Sequence, residues 1–289
     1  MKSGYVALVG RPNTGKSTLL NNILQQKVSI TSPLPQTTRF SIQAVYEDDR
    51  GQIVFIDTPG IFGKVEDPVS KVINPKAEKT LKEGGVDVIV YLIDHTRDRS
   101  FEENKILGMV RKIAKPKILA FNKSDIKEPD FYPHYRFMEE EFDKTIHISA
   151  MFRHNLNYLL DAIFAYLPER KKKLVDTTDR PTPLLNMDSK MYIADIIREK
   201  AYLFLRDEVP YSLMTKVEEV ETRENGMVYI KASIITTQEK YKSMIIGYKA
   251  RMIKEIGMAA RKELETATNK KVFVDLTVEV NPHWTEELV

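Results

Sequence analysis

The segment from residue 10 to residue 17 has the residue types and the spacing of a loop that binds phosphate. It follows an apolar run, residues 5–9, and matches the pattern G-x-x-x-x-G-K-[ST]. Glycines let successive backbone N–H groups converge on phosphate oxygens, and a following helix adds partial positive charge at its N-terminus. The sequence therefore predicts nucleotide contacts from Gly10, Arg11, Pro12, Asn13, Thr14, Gly15, Lys16, Ser17 and Thr18.

Two hydroxyl or carboxylate side chains could hold the metal ion that accompanies a nucleoside triphosphate. Lys16 should contact the β- and γ-phosphates, while the hydroxyl of Ser17 should bind Mg²⁺. Asp57 follows an apolar run, residues 53–56, and would hold Mg²⁺ through water at the carboxyl end of a strand. The contacts expected after this strand are Asp57, Thr58, Pro59 and Gly60, with the Gly60 N–H near the γ-phosphate. The alternative is that these segments are ordinary turns, rich in Gly, Pro and Asp, that bind no ligand.

The tetrapeptide Asn122-Lys123-Ser124-Asp125 indicates which base the site selects. Guanine presents two adjacent donors, N1–H and the 2-amino group, and the carboxylate of Asp125 can accept from both. Adenine would leave that carboxylate unpaired, so we expect contacts from Asn122, Lys123 and Asp125 to favour guanine. Ser149 and Ala150 could offer a backbone N–H to guanine O6, although a dipeptide alone carries little information.

The elements that must position these residues alternate between strands and helices. Apolar and β-branched runs predict strands at residues 5–9, 40–46, 52–57, 86–94, 117–122 and 146–149. Apolar residues at three- and four-residue spacing predict helices at residues 16–24, 70–82, 102–112 and 156–167. This alternation favours an α/β domain with helices covering a mostly parallel sheet, over residues 1–170.

A Pro- and Lys-containing stretch, residues 171–184, predicts a linker to a smaller α+β domain over residues 185–289. There the order is αββααβ: a helix at 191–206, strands at 216–221 and 227–236, helices at 240–246 and 252–268, and a strand at 271–280. Gly247 interrupts the two later helices. Nine basic residues concentrate nearby: Lys240, Lys242, Lys249, Arg251, Lys254, Arg261, Lys262, Lys270 and Lys271.

Composition excludes several classes of function. Hydrophobic residues make up 42% of the 289 residues and charged residues 29%, which is typical of a folded globular chain. The chain has no Cys, so disulfides, thiolate metal sites and cysteine nucleophiles are excluded. A net charge of +3 does not by itself indicate nucleic acid, and no apolar run approaches the roughly 20 residues of a membrane span.

The four nucleotide motifs, in this order, resemble the translation-factor-related class of GTPases. The resemblance implies GTP hydrolysis to GDP with Mg²⁺, held by Ser17, Thr38 and Asp57, and catalytic contributions from Lys16, Thr38 and Gly60. Thr38 lies in Gln36-Thr37-Thr38-Arg39, which looks like the effector loop of that class. Ile61 stands where Ras-like GTPases carry a water-orienting Gln, so we expect a low intrinsic rate. Asn13 and the apolar Ile61 also resemble GTPases that use K⁺.

The second domain resembles a type II KH domain, a fold that binds single-stranded RNA at a tight turn between two helices. This implies RNA contacts from Ile246, Gly247, Tyr248, Lys249, Ala250 and Arg251. The usual loop is G-x-x-G, and position 250 is Ala, so the expected RNA contact depends on whether Ala250 can adopt the required backbone. An ordinary helix turn on a Lys-rich face is the alternative.

The two resemblances together are those of a bacterial ribosome-assembly GTPase family. They imply binding to 16S rRNA near its 3′ end, a role with the 30S subunit, a cytoplasmic location and peripheral association with the inner membrane. We expect a monomer. Two other functions stay open: a phosphoryl-transfer enzyme acting on a small acceptor, and a GTPase that signals to protein or membrane partners through its basic C-terminal domain.

Overall fold

The computed structural model describes residues 1–31, 42–58, 85–177 and 189–288. These fall into two compact units, the first made of the described residues up to 177 and the second starting at residue 189. The predicted effector loop, the helix at 70–82, Pro59, Gly60 and Ile61 lie outside the described residues. The predicted domain boundaries stay a prediction, because the described residues stop at 177 and resume at 189.

The first unit is built on a six-stranded sheet of order β2-β3-β1-β4-β5-β6. The strands are β1 Lys2–Val9, β2 Ile42–Asp48, β3 Gly51–Asp57, β4 Val88–Asp94, β5 Lys117–Asn122 and β6 Lys144–His147. Only β2 runs antiparallel to its neighbour. The register sets Leu8 opposite Asp57 and Asp94 opposite Asn122, so the chemically important strand ends meet at one edge of the sheet.

Helices cover both faces of this sheet: α1 Lys16–Leu24, α2 Phe101–Arg111 and α3 Leu156–Tyr166. Alternate residues of β1 show the division, since Val6 and Leu8 pack with α1 and α3, while Ala7 and Val9 pack with α2. Every residue of β4 is buried, as expected for a central parallel strand. The predicted three-layer α/β fold is therefore confirmed.

The start of the predicted linker packs against the first unit. The Gln52 side chain donates to the carbonyl of Val175 at 2.9 Å and accepts the N–H groups of Leu174 and Val175 at 2.9 and 3.0 Å. Thr177 donates to Glu47 at 2.8 Å. Residues 174–177 therefore continue the first unit along β2 and β3.

The second unit has the predicted αββααβ order. Its elements are α4 Ser189–Phe204, β7 Leu213–Thr222, β8 Val228–Thr236, α5 Glu239–Ile246, α6 Arg251–Thr268 and β9 Val272–Val280. β7 and β8 form an antiparallel hairpin, and β9 joins β8 in parallel after the two helices have crossed the sheet. Within the described residues, no helix is long and apolar enough to span a bilayer.

Candidate functional site

Two glycines shape the predicted phosphate loop through close approach. Gly15, at the start of α1, has a φ of 99°, and a side chain there would run into Nδ2 of Asn122. A Cβ at Gly10 would lie 2.5 Å from the carbonyl oxygen of Leu92. Both positions therefore exclude any larger residue, and the loop is drawn tightly against the neighbouring strand ends.

Lys16 lies at the centre of the loop. Its ammonium donates to the carbonyls of Gly10 at 3.0 Å and Arg11 at 2.8 Å. Burial lowers the pKa of Lys16 to about 8, although the negative charges of Asp57 and Glu103 oppose the change. The two carbonyl oxygens carry only partial negative charge. A bound phosphate would supply full negative charge opposite the ammonium, which agrees with the predicted contact with the β- and γ-phosphates.

Asp57 and Ser17 have the chemistry that Mg²⁺ requires. Asp57 is fully buried, and its Oδ2 accepts from Ser17 at 2.8 Å and from Ser29 at 2.9 Å. Its Oδ1 has no hydrogen-bond partner among the described residues. Burial raises the pKa of Asp57, opposed by the charge of Lys16. An orphaned carboxylate oxygen beside a serine hydroxyl fits a hard divalent cation, so Ser17 and Asp57 would hold Mg²⁺; Thr38, the third predicted ligand, is outside the described residues.

Sequence reasoning missed Ser29, which comes from a loop far from Asp57 along the chain. Asn21 places it, because its side chain accepts the N–H groups of Val28 and Ser29 at 2.8 and 2.9 Å and donates to the Ser29 carbonyl at 2.7 Å. Thr58 donates its hydroxyl to the Leu8 carbonyl at 2.8 Å, and its contact with the nucleotide stays a prediction. These contacts fix the strand end that carries Asp57.

Asn122 ties three segments together. Its Nδ2 donates to the Thr14 carbonyl at 2.7 Å, and its Oδ1 accepts the Ala150 N–H at 2.8 Å. Asn122 is buried, so its side chain joins the phosphate loop to the predicted O6 segment and is not directed at a base. Asp125, by contrast, is exposed, and its carboxylate has no partner among the described residues. Asn122 therefore supports the loop, and base reading by Asp125 stays a prediction.

The predicted O6 contact faces competition inside the protein. The Ser149 N–H donates to the His154 carbonyl at 3.2 Å, and the Ala150 N–H is already used by Asn122. Either amide would have to share its hydrogen with guanine O6 or exchange partners. The contact from Ser149 or Ala150 to O6 stays a prediction.

The side chain of Arg11 is directed away from the loop. Its guanidinium is buried, pairs with Glu103 at 2.5 Å, and donates to the Asp98 carbonyl at 3.0 Å and the Tyr135 hydroxyl at 2.9 Å. Only its backbone faces the predicted phosphate site, where the carbonyl accepts from Lys16 and, at 3.0 Å, from Thr14. Arg11 therefore anchors the loop from behind.

The remaining predicted residues of the loop are placed by their neighbours. Asn13 is exposed and has a φ of 63°, and the Pro12 carbonyl accepts from Arg97 at 3.0 Å. Thr18 is half-buried in the first turn of α1. Asn13 is thus an exposed residue of the loop, and its role as a K⁺ ligand stays a prediction.

The turn between α5 and α6 answers the question about Ala250. Gly247 has φ 70° and ψ 171°, a region open essentially to glycine alone, and a Cβ there would lie 2.7 Å from that of Met252. Lys249 and Ala250 both adopt the left-handed conformation, with φ of 49° and 60°. Ala250 therefore takes the backbone that a glycine favours, at a cost of about 1 kcal/mol.

The surface around this turn is basic and aromatic. Tyr248 is 82% exposed, and the ammonium of Lys249 lies 5.4 Å from the centre of its ring. Ile246 is half-buried, whereas Arg251 is exposed at the start of α6 and pairs with Glu255 at 2.9 Å. Backbone N–H groups, a helix N-terminus and flanking cations are the components of a sugar-phosphate contact.

Comparison with known proteins assigns the family. Residues 5–123 match the family model described as 50S ribosome-binding GTPase, and residues 208–285 match that of the KH domain. GTPase Era from Halothermothrix orenii is 38% identical over 99% of this chain and 95% of its own length. GTPase Era from Pseudomonas fluorescens is 36% identical over 99% of this chain and 94% of its own. The chain belongs to the Era family of GTPases.

Solved structures of the Era family agree over the whole chain. Era from Aquifex aeolicus, determined with GDP and aluminium fluoride, has a TM-score of 0.90 at 38% identity, covering 100% of this chain and 98% of that one. Era in complex with MgGDPNP and nucleotides 1506–1542 of 16S ribosomal RNA also scores 0.90, at 36% identity, covering 100% and 97%. The predicted GTPase activity and both predicted folds are thereby confirmed.

Proposed function

We propose that this chain is a GTP-operated switch that binds 16S rRNA near its 3′ end and assists assembly of the 30S ribosomal subunit. The observation that carries the proposal is the turn from Gly247 to Ala250, because the positive φ values of Gly247, Lys249 and Ala250 bring the N-terminus of α6 beside the exposed side chains of Tyr248 and Lys249. The Era structure solved with a 16S rRNA fragment supports the same ligand class.

The charges around the turn favour a nucleic acid over an acidic protein surface. Lys249, Arg251 and Lys254 are exposed in the turn and the first turn of α6, and Tyr248 offers a ring on which a base can stack. The alternative function, a GTPase that signals to protein or membrane partners through this basic unit, would need no aromatic platform beside a glycine turn.

Filter binding with an RNA from the 3′ end of 16S rRNA tests the proposal. We expect Lys249→Glu with Arg251→Glu to weaken binding at least about tenfold and to lower the salt dependence by about two units of slope, since each cation neutralises about one phosphate. Lys231→Glu, an exposed change on β8, is the matched control and should have little effect. Unchanged RNA binding in the double variant would refute the proposal.

We propose that the nucleotide cycle operates through the predicted residues Lys16, Ser17, Thr38, Asp57 and Gly60. Mg²⁺ held by Ser17, Asp57 and Thr38 would neutralise phosphate charge, with Lys16 on the β- and γ-phosphates and the Gly60 N–H sensing the γ-phosphate. Loops around Thr38 and Gly60 would be ordered by GTP and released after hydrolysis. With Ile61 in place of a water-orienting Gln, intrinsic turnover would be slow.

We also propose that K⁺ assists GTP hydrolysis. Asn13 lies exposed at the rim of the phosphate loop, where a monovalent cation could bridge its side chain and the phosphates. Turnover should be faster in K⁺ than in Na⁺, and Asn13→Ala should remove the difference. Equal rates in the two salts would refute this role.

We also propose that the protein is a monomer, that it is cytoplasmic and that it associates peripherally with the inner membrane, as the family resemblance implies. Sedimentation velocity tests the monomer, and flotation with vesicles that contain anionic lipid tests the association. Recovery of the protein only in the bottom fraction would refute membrane association.

A further inference from the structure

Asp94 and His95 lie directly behind the guanine-reading loop. β4 ends at Asp94 and pairs in parallel with β5, so Asp94 lies opposite Asn122 and the residues after both strands meet at one edge. The sequence pattern gave no reason to single out either residue. Both nevertheless contact Lys123, the residue between Asn122 and the base-reading end of the loop.

Asp94 holds the side chain of Lys123. It is fully buried, and its Oδ2 accepts from the Lys123 ammonium at 2.5 Å. Its Oδ1 accepts from the backbone and the hydroxyl of Thr96 at 3.1 and 2.7 Å. Because Lys123 and Thr96 donate to its two oxygens, the Asp94 carboxylate is held in place and binds the Lys123 ammonium through Oδ2.

His95 holds the backbone of the same residue. Its Nε2 lies 3.0 Å from the carbonyl oxygen of Lys123, which also accepts the N–H of Ile126 at 2.9 Å. Lys123 has a φ of 68°, a conformation that L side chains disfavour, so it persists only where its surroundings hold it. Because Asn122 is fixed by the phosphate loop, the backbone of Lys123 sets the direction in which Asp125 leaves the strand.

The ring of His95 faces two acceptors. Nδ1 lies 3.0 Å from Oδ1 of Asp130 and Nε2 faces the Lys123 carbonyl. The pKa of Asp130 is lowered first by the N–H of Tyr132 and then by His95, so its carboxylate is an acceptor. Both contacts are satisfied only when both ring nitrogens carry hydrogen.

Asp130, His147 and the Lys123–Asp94 pair lie around this ring. Burial lowers the pKa of His147, opposed by the charge of Glu139. The Lys123 ammonium is neutralised by Asp94, so Asp130 is the carboxylate that faces Nδ1 of His95.

We propose that His95 is a positioning residue for guanine recognition: by donating from Nε2 to the Lys123 carbonyl it fixes the orientation of Asp125. The inference rests on guanine reading by Asp125.

The test compares GDP with IDP, which lacks the 2-amino group, by titration calorimetry. His95→Ala should weaken GDP binding about five- to tenfold and IDP binding less, so that the preference for GDP falls. His95→Gln, whose amide can donate from the position of Nε2, should restore most of the preference. His134→Ala removes an exposed histidine that pairs with Asp98 and should behave as wild type.

Two results would overturn the inference. One is a His95→Ala variant, folded by circular dichroism, that keeps the wild-type preference for GDP over IDP. The other is a folded His95→Gln variant that restores none of the preference for GDP lost in His95→Ala. Asp125→Ala separates the failures: if it also keeps the preference, guanine reading by Asp125 is wrong; if it loses it, only the role of His95 fails.

Discussion

The phosphate loop and the turn between α5 and α6 are both glycine-bearing turns that lead into a helix, but they differ in how strictly the residue directly before the helix must be glycine. In the phosphate loop, Gly15 is required by space as well as by conformation, because Asn122 lies against it. In the second turn, Gly247 meets Met252, whereas Ala250 already carries a methyl group in the left-handed region. A close approach excludes a side chain, while an unfavourable φ only makes one costly.

The largest expected effect is at the phosphate loop. Gly15→Ala would place a methyl group on the Asn122 amide and strain a φ of 99°, so we expect GDP affinity to fall more than about 100-fold by titration calorimetry. Gly108→Ala is the matched control, since Gly108 lies within α2 with open space around its Cβ position and should gain up to about 1 kcal/mol of stability. Normal GDP binding by Gly15→Ala would show that the loop is less tightly drawn.

The next effect is on the second turn. Gly247→Ala would combine a Gly-only conformation with the contact to Met252, and we expect about 2–3 kcal/mol of lost stability or a displaced turn, with loss of RNA binding. Urea unfolding and RNA filter binding measure both. Retention of wild-type stability and RNA affinity would mean that the turn accommodates a side chain at position 247 and does not require glycine there.

Lys16 gives a prediction in pH. The folded pKa of about 8 lies below the ordinary value of 10.5, so the unfolded chain binds the extra proton between them. Stability of the nucleotide-free protein should therefore rise with pH from about 8 to 10.5 through this group. A bound polyphosphate favours the charged ammonium, so GDP binding near pH 8.5 should take up a fraction of a proton, about half or more, measured by calorimetry in buffers of different ionisation heat. Binding without proton uptake there would contradict the buried position of Lys16.

The smallest effect is at position 250. Ala250→Gly should relieve the left-handed strain and stabilise the second unit by up to about 1 kcal/mol in urea unfolding, with RNA affinity retained or slightly improved. Ala259→Gly, in the middle of α6, is the control and should destabilise by about the same amount. If both substitutions changed the stability in the same direction, the left-handed conformation of Ala250 would not be a source of strain.

Patterns within one segment made most of the fold predictable. β5 and α1 have the predicted bounds, and α2 and α6 begin within one residue of theirs, because the apolar period and the Gly turns act locally. The contacts that hold the site could not be predicted in this way. Arg11 with Glu103, Ser29 with Asp57, and His95 with Lys123 join residues that only the sheet register brings together.

The roles within a recognised pattern were also only partly predictable. The tetrapeptide was assigned to the base as a whole, yet Asn122 is buried in contacts with Thr14 and Ala150, and only Asp125 presents an unpaired carboxylate. A pattern records which residue types occur together. Their division of labour depends on which side chains the neighbouring elements engage.

The most direct test of the account measures how strongly the full chain binds RNA in its two nucleotide states. With an RNA from the 3′ end of 16S rRNA and Mg²⁺ present, the affinity should be at least about tenfold higher with a non-hydrolysable GTP analogue than with GDP, which corresponds to a coupling of about 1.4 kcal/mol. Equal RNA affinity in the two states would contradict a GTP-operated switch.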